Sequence, residues 1–161
     1  MKFKVSEDVD APQAMVWAKF LDFTALEDDA RGRGAVVTRV GNWTATAEGV
    51  AWRGEVTVRG KTRPLAAKVT RFAPEDVCLI ESRIGGMNCS YEMTFVPLGA
   101  EVTRVALVLD LSADTLTARL LLQTMKLARG RVLQRLQAVI ARQGNAVEAA
   151  HRRQKASLTK G

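Results

Sequence analysis

The sequence predicts an α+β domain in which a curved antiparallel sheet faces one long C-terminal helix. Three observations predict it. A short alternating strand at the start leads into an Ala-Pro-initiated helix, strand-like alternation with short turns fills residues 35–111, and a helical apolar stripe follows from about Asp114 to Asn145. A large one-sided sheet with a single long helix must bury its apolar face against that helix. The space between them is then either packed core or a ligand cavity.

Phe3, Val5 and Val9 set one face of the first strand, with Lys2, Lys4 and Ser6 on the other. Pro12 stands at the first turn of a helix, where its missing N–H leaves no partner unsatisfied. Met15, Val16, Trp17 and Phe20 give that helix an apolar face. A second short helix, about Thr24 to Ala30, has Thr24 as N-cap and Glu27 at capping-box spacing. Arg31-Gly32-Arg33-Gly34 ends it.

A meander follows. Strands are expected at Ala35–Val40, Trp43–Arg59 with a bend near Glu48-Gly49, Thr62–Phe72, Val77–Ile84, Met87–Val96 and Glu101–Leu111. The turns between them carry Gly41-Asn42, Gly60-Lys61, Pro74, Gly85-Gly86 and Pro97-Leu98-Gly99, residues suited to turn geometry. Parity sorts the faces. Met87, Cys89, Tyr91, Met93 and Phe95 share one side, as do Val105, Leu107, Leu109 and Leu111, and Trp52, Gly54, Val56 and Val58. Their neighbours Asn88, Ser90, Glu92, Arg53, Glu55, Arg104 and Asp110 alternate onto the wet side, as a one-sided antiparallel sheet requires.

At 100° per residue, Leu121, Leu122, Met125, Ala128, Val132, Leu133, Leu136, Val139 and Ile140 fall within about 140° of the long helix. Arg131, Arg135 and Arg142 lie opposite. Arg129 interrupts the stripe, where an unpaired charge is costly. It either snorkels past the sheet edge or pairs with a sheet carboxylate, or it anchors a polar group of a ligand. Leu116, Leu120 and Leu127 form a second row. They either meet the short helices near Trp17 and Phe23 or present a surface to a membrane or a second copy. A domain over residues 1–147 and a basic, mobile tail over 148–161 are expected.

Composition narrows the function. The 161 residues suffice for one domain with a real core, and 47% hydrophobic and 25% charged residues are ordinary for a globular protein. No apolar run reaches membrane-spanning length and the start lacks a signal-peptide pattern, so a cytoplasmic protein is expected. Cys78 and Cys89 read as two buried thiols. The net charge is +7, and residues 113–161 carry ten Lys or Arg against Asp114 and Glu148. Such asymmetry suits either a solvated helix face or an anionic partner. An anionic membrane met by Arg131, Arg135, Arg142, Arg152 and Arg153 is one such partner. The basic helix carries no aromatic residue, which argues against stacking recognition of nucleic acid.

Catalytic signals are weak. The single histidine, His151, falls in the expected tail, and no Ser–His, Cys–His, metal-ligand or nucleotide-loop pattern is present. No catalytic residue, metal or cofactor is assigned. Trp52, Met87, Tyr91, Met93 and Phe95 from the sheet, with Leu122, Met125 and Arg129 from the helix, are the expected cavity lining. Arg129 is its polar anchor.

Ala11-Pro12, Val16-Trp17 and Asp22 after a first strand resemble the opening of the START-like (SRPBCC) polyketide-cyclase/dehydrase superfamily. The order of elements over about residues 1–145 resembles it too. Val58-Arg59-Gly60-Lys61, Gly85-Gly86 and the final helix are similar to the G-type subunits of carbon monoxide dehydrogenase. The resemblance implies a β-α-α-β6-α helix-grip around a hydrophobic cavity for lipids, quinones or polyketides. It also implies that a minority of members are cyclases or dehydratases, with no shared catalytic set. The expected function is non-enzymatic binding of a hydrophobic or amphipathic small molecule. A cyclase or dehydratase in the same cavity and a peripheral membrane or protein adaptor are the alternatives.

Overall fold

A computed structural model describes residues 1–41 and 48–160. The end of the expected Trp43–Arg59 strand nearest Trp43 lies outside the described residues. The elements are β1 (Lys2–Val9), α1 (Gln13–Phe20), α2 (Phe23–Gly32), β2 (Val36–Val40), β3 (Ala51–Val58), β4 (Lys61–Ala73), β5 (Val77–Ile84), β6 (Met87–Gly99), β7 (Val102–Ala113), α3 (Leu116–Leu127) and α4 (Arg129–Thr159). The seven strands form one antiparallel sheet in the order β1-β7-β6-β5-β4-β3-β2. Direct partners across it share a face, and the inward sets follow the alternation: Leu109 faces Tyr91, Leu107 faces Met93, and Val105 faces Phe95.

Two local expectations are corrected. Asp22, not Thr24, caps α2, because its carboxylate accepts from Ala25 N at 3.1 Å and places Thr24 inside the first turn. Glu27 is consequently no capping-box partner. It is buried and forms an ion pair with Arg39 of β2, tying α2 to the sheet.

The C-terminal helix is two helices. Ala128, with φ −100° and ψ 25°, ends α3 and begins α4. The helix also runs on to Thr159 instead of stopping at Asn145. Its last turns dock on the β6–β7 corner, where His151 Nε2 lies 3.3 Å from Glu101 Oε1 and Lys155 pairs with the same carboxylate.

Most of α4 lies along β1, the edge strand. Met1 O accepts from Leu111 N, so the odd residues of β1 face β7 and the even ones face outward. Three of those outward groups meet α4. Arg129 donates to Lys2 O at 2.8 Å, Gln137 donates to Ser6 O at 2.8 Å, and Asp10 N donates to Glu148 at 3.0 Å. Ile140, Gly144 and Val147 are the buried residues of α4.

The core divides in two. At one end Trp17 and Phe20 of α1 meet Phe95 edge-on, with centroids 5.1 and 5.9 Å apart, and Trp17 meets Phe72 at 5.3 Å. Val16, Met93, Leu107, Ile140 and Val147 fill the space around them. At the other end a smaller cluster of Phe3, Met87, Leu111 and Ala118 packs under α3.

Candidate ligand-binding cavity

The second cluster does not fill its end of the molecule. Between α3 and the sheet lies a cavity of about 490 Å³, within the range of small-molecule sites. Met87, Cys89, Leu109 and Leu111 form its floor, all on the inward parity of β6 and β7. Ala118, Leu121 and Met125 of α3 form the roof, with Leu120 at the exposed edge. Val58, Arg59, Lys61, Arg63 and Ile84 close the side where the β3–β4 hairpin ends.

The start of α3 fixes the roof. Thr115 caps it, accepting from Ala118 N at 3.2 Å, and Asp114 N donates to Gly86 O at 2.8 Å. Arg83 and Asn88 each hold the Asp114 carboxylate at 2.9 Å. Gly86 is required by this approach, since a Cβ there would sit 2.3 Å from the Thr115 hydroxyl oxygen. The hairpin wall is shaped by Arg59 and Gly60, both at positive φ (52° and 77°), a two-residue turn that suits the twist of the strands.

Of the expected lining residues, the structure brings Met87 and Met125 to this cavity. Met93 and Phe95 lie instead in the solid core, because α1 inserts Trp17 and Phe20 over that stretch of β6. Tyr91 packs against the same core. Trp52 meets Phe23 edge-on at 5.0 Å and borders a separate hollow on β3 and β4. Leu122 turns towards Met1. Arg129 is no cavity anchor. It stacks over Phe3 at 5.0 Å and bonds the edge carbonyl of Lys2, so the charge is met by β1 outside the lining.

The second leucine row is corrected as well. Leu116, Leu120 and Leu127 are 73%, 61% and 92% exposed and do not reach Trp17 or Phe23, which sit at the other end of the sheet. The residues missed by sequence reasoning were legible in part. Leu109 and Leu111 share the inward parity, and the alternation of β4 puts Lys61 and Arg63 on the same face as Leu65.

The lining chemistry is quiet. Burial pushes the Cys89 thiol up, with Ser82 only partly opposing it, so the sulfur stays protonated at neutral pH. Tyr91, behind the floor, is pushed up to about 12 by burial. Among the described residues no group of His, Cys, Asp or Glu is placed to hold a metal ion.

A one-sided sheet gripping helices, with an apolar cavity at one end, defines a helix-grip cavity protein. The family model described as polyketide cyclase/dehydrase and lipid transport matches residues 1–142, and the chain belongs to that family. Solved structures share the fold at low identity. The Zhui aromatase/cyclase from Streptomyces sp. R1128 is 20% identical with a TM-score of 0.66, covering 93% of this chain and 97% of that one. A START superfamily protein from Mycobacterium smegmatis is 14% identical at 0.54, covering 86% and 98%. Norcoclaurine synthase from Thalictrum flavum, in complex with dopamine and hydroxybenzaldehyde, is 13% identical at 0.63, covering 94% and 87%. No curated protein matches the chain by sequence.

Proposed function

We propose that the protein binds a hydrophobic or amphipathic small molecule, such as a lipid, quinone or polyketide-like compound, in the cavity under α3, without transforming it. The observation that carries this reading is the cavity itself. Apolar side chains of sheet and helix surround a space of about 490 Å³ that no side chain fills. Binding is favoured over turnover by the chemistry of the wall. Its groups are methyls, thioethers, a protonated thiol, two threonine hydroxyls and three cations, with no carboxylate or imidazole among the described lining residues. Native mass spectrometry of the purified protein, with organic extraction, tests the proposal. A discrete apolar adduct, or saturable binding of neutral Nile red lost in Leu121→Trp, is expected. Turnover of a polyketide-type substrate panel would overturn the non-enzymatic part, and a protein that neither carries nor binds an apolar molecule would overturn the rest.

A second reading, peripheral association with an anionic membrane, has its own observation. Leu116, Leu120 and Leu127 are exposed along one side of α3, beside exposed Arg119 and Lys126. Arg131, Arg135, Arg142, Arg152 and Arg153 of α4 are exposed as well. Apolar insertion flanked by cations is the pattern of a helix lying at a bilayer surface. Among the described residues, no helix is long and apolar enough to cross one. Co-sedimentation with anionic vesicles that fades in high salt and in Leu120→Ser/Leu127→Ser is expected. No binding at low salt would end this reading.

A further inference from the structure

We infer that the ligand is an anionic amphiphile, its carboxylate or phosphate held at the Lys61–Arg63 end of the β3–β4 hairpin and its apolar body under α3. The inference rests on the binding reading above and adds the class of ligand.

It begins from a break in the sheet's pattern. Lys61 and Arg63 pair directly with Val58 and Val56, and Leu65 with Gly54. Directly paired residues share a face. The two cations therefore stand on the inward, otherwise apolar side of the sheet, where alternation calls for aliphatic residues. Both line the cavity, with Arg59 from the turn beside them. The Arg63 stem is laid against the Gly85 turn, its Cδ within 3.3 Å of where a Cβ of that glycine would be. The cations thus gather at one end of an apolar chamber, and the two ends differ in chemistry.

Nothing in the protein answers these charges. Arg31, Arg39, Arg83 and Arg104 each pair with a carboxylate. Arg59, Lys61 and Arg63 have no ion pair or hydrogen bond among the described residues, and no acidic side chain lines the cavity. Cations bordering apolar walls are less well solvated than free ones, and an incoming anion restores what they lack. The guanidinium of Arg63 offers a fork to two oxygens, and Lys61 adds a point charge. The apolar floor and roof rule out a compact polar anion as the natural occupant, because such an ion would leave Met87, Leu111, Leu121 and Met125 facing empty space. An apolar chain with one charged head satisfies both ends.

Isothermal titration of the full chain with dodecanoate, dodecyl phosphate, dodecanol and dodecylamine, each below its micelle concentration, tests the inference. Nile red serves as the neutral reporter of the cavity. Dodecanoate or dodecyl phosphate is expected to bind at least ten-fold more tightly than dodecanol, with dodecylamine weakest. The tighter of the two anions identifies the head group. Lys61→Gln/Arg63→Gln is expected to reduce the anion-to-alcohol ratio to below two-fold, while the charge-matched Arg142→Gln/Arg152→Gln keeps it. Equal binding of dodecanoate and dodecanol by the wild type overturns the inference and leaves the cavity reading standing. An anion preference that survives Lys61→Gln/Arg63→Gln overturns the placement of the head. Failure of all four ligands and of Nile red overturns the cavity reading instead.

Discussion

Replacing Arg129 separates a structural cation from a ligand anchor. Its guanidinium donates one hydrogen bond to Lys2 O at 2.8 Å and stacks over Phe3 at 5.0 Å. A hydrogen bond from a charged donor is worth about 1.5–3 kcal/mol. The side chain is exposed, so water competes and the low end or less applies. The cation–π contact adds about 0.5–1 kcal/mol at an exposed site. The carbonyl left behind lies on an outward edge and can be hydrated, so no buried polar group is orphaned. Arg129→Ala should therefore cost about 1–2 kcal/mol. For a chain of this length that lowers the melting temperature by about 2–8 °C. Differential scanning calorimetry reads the stability, and Nile red titration of the same preparation reads the cavity. A lower Tm with affinity within two-fold of wild type is expected. A ten-fold loss of affinity at unchanged Tm would refute the placement of Arg129 outside the site.

Two further outcomes follow from the buried groups. Burial holds Cys78 and Tyr91 each up to about 12, against ordinary values of 9.0 and 10.0. The unfolded chain loses those protons first, so stability is expected to fall as pH rises above about 9 and to go on falling until the folded groups ionise. Urea midpoints measured from pH 7 to 11 check the sign, and Tyr91→Phe should make the alkaline decline shallower. Glu27→Gln removes the carboxylate that joins α2 to Arg39, and a loss of about 1.5–3 kcal/mol is expected, the scale of hydrogen bonds to a charged group. A urea midpoint unchanged from wild type would show that α2 is held by Phe23 packing alone.

The sheet was readable because its signal is local: alternation and turn residues repeat within each strand, and the strand bounds fall within a few residues of those expected. The site was less readable because it depends on which helix covers which stretch of that face. Parity correctly turned Tyr91, Met93 and Phe95 inward, yet nothing in their spacing shows that Trp17 and Phe20 come down upon them from α1. The same parity on β7 and β4 contained the floor and the cationic wall, in Leu109, Leu111, Lys61 and Arg63. The break at Ala128 was hidden for a related reason. Apolar periodicity continues across it, although the backbone turns, so Arg129 stood in the predicted stripe while its side chain went to the edge of β1.

The three side chains that α4 lays on that edge also govern how the protein fails. Strand edges recruit foreign strands when their backbone groups are free. Here Lys2 O, Ser6 O and Asp10 N are already occupied by a helix that also buries Ile140 and Val147. A second chain cannot extend the sheet at β1 until α4 has come away. Aggregation by that route is therefore paced by detachment of one helix rather than by melting of the sheet. Storage conditions that keep α4 seated protect the protein more than those that merely raise its global stability.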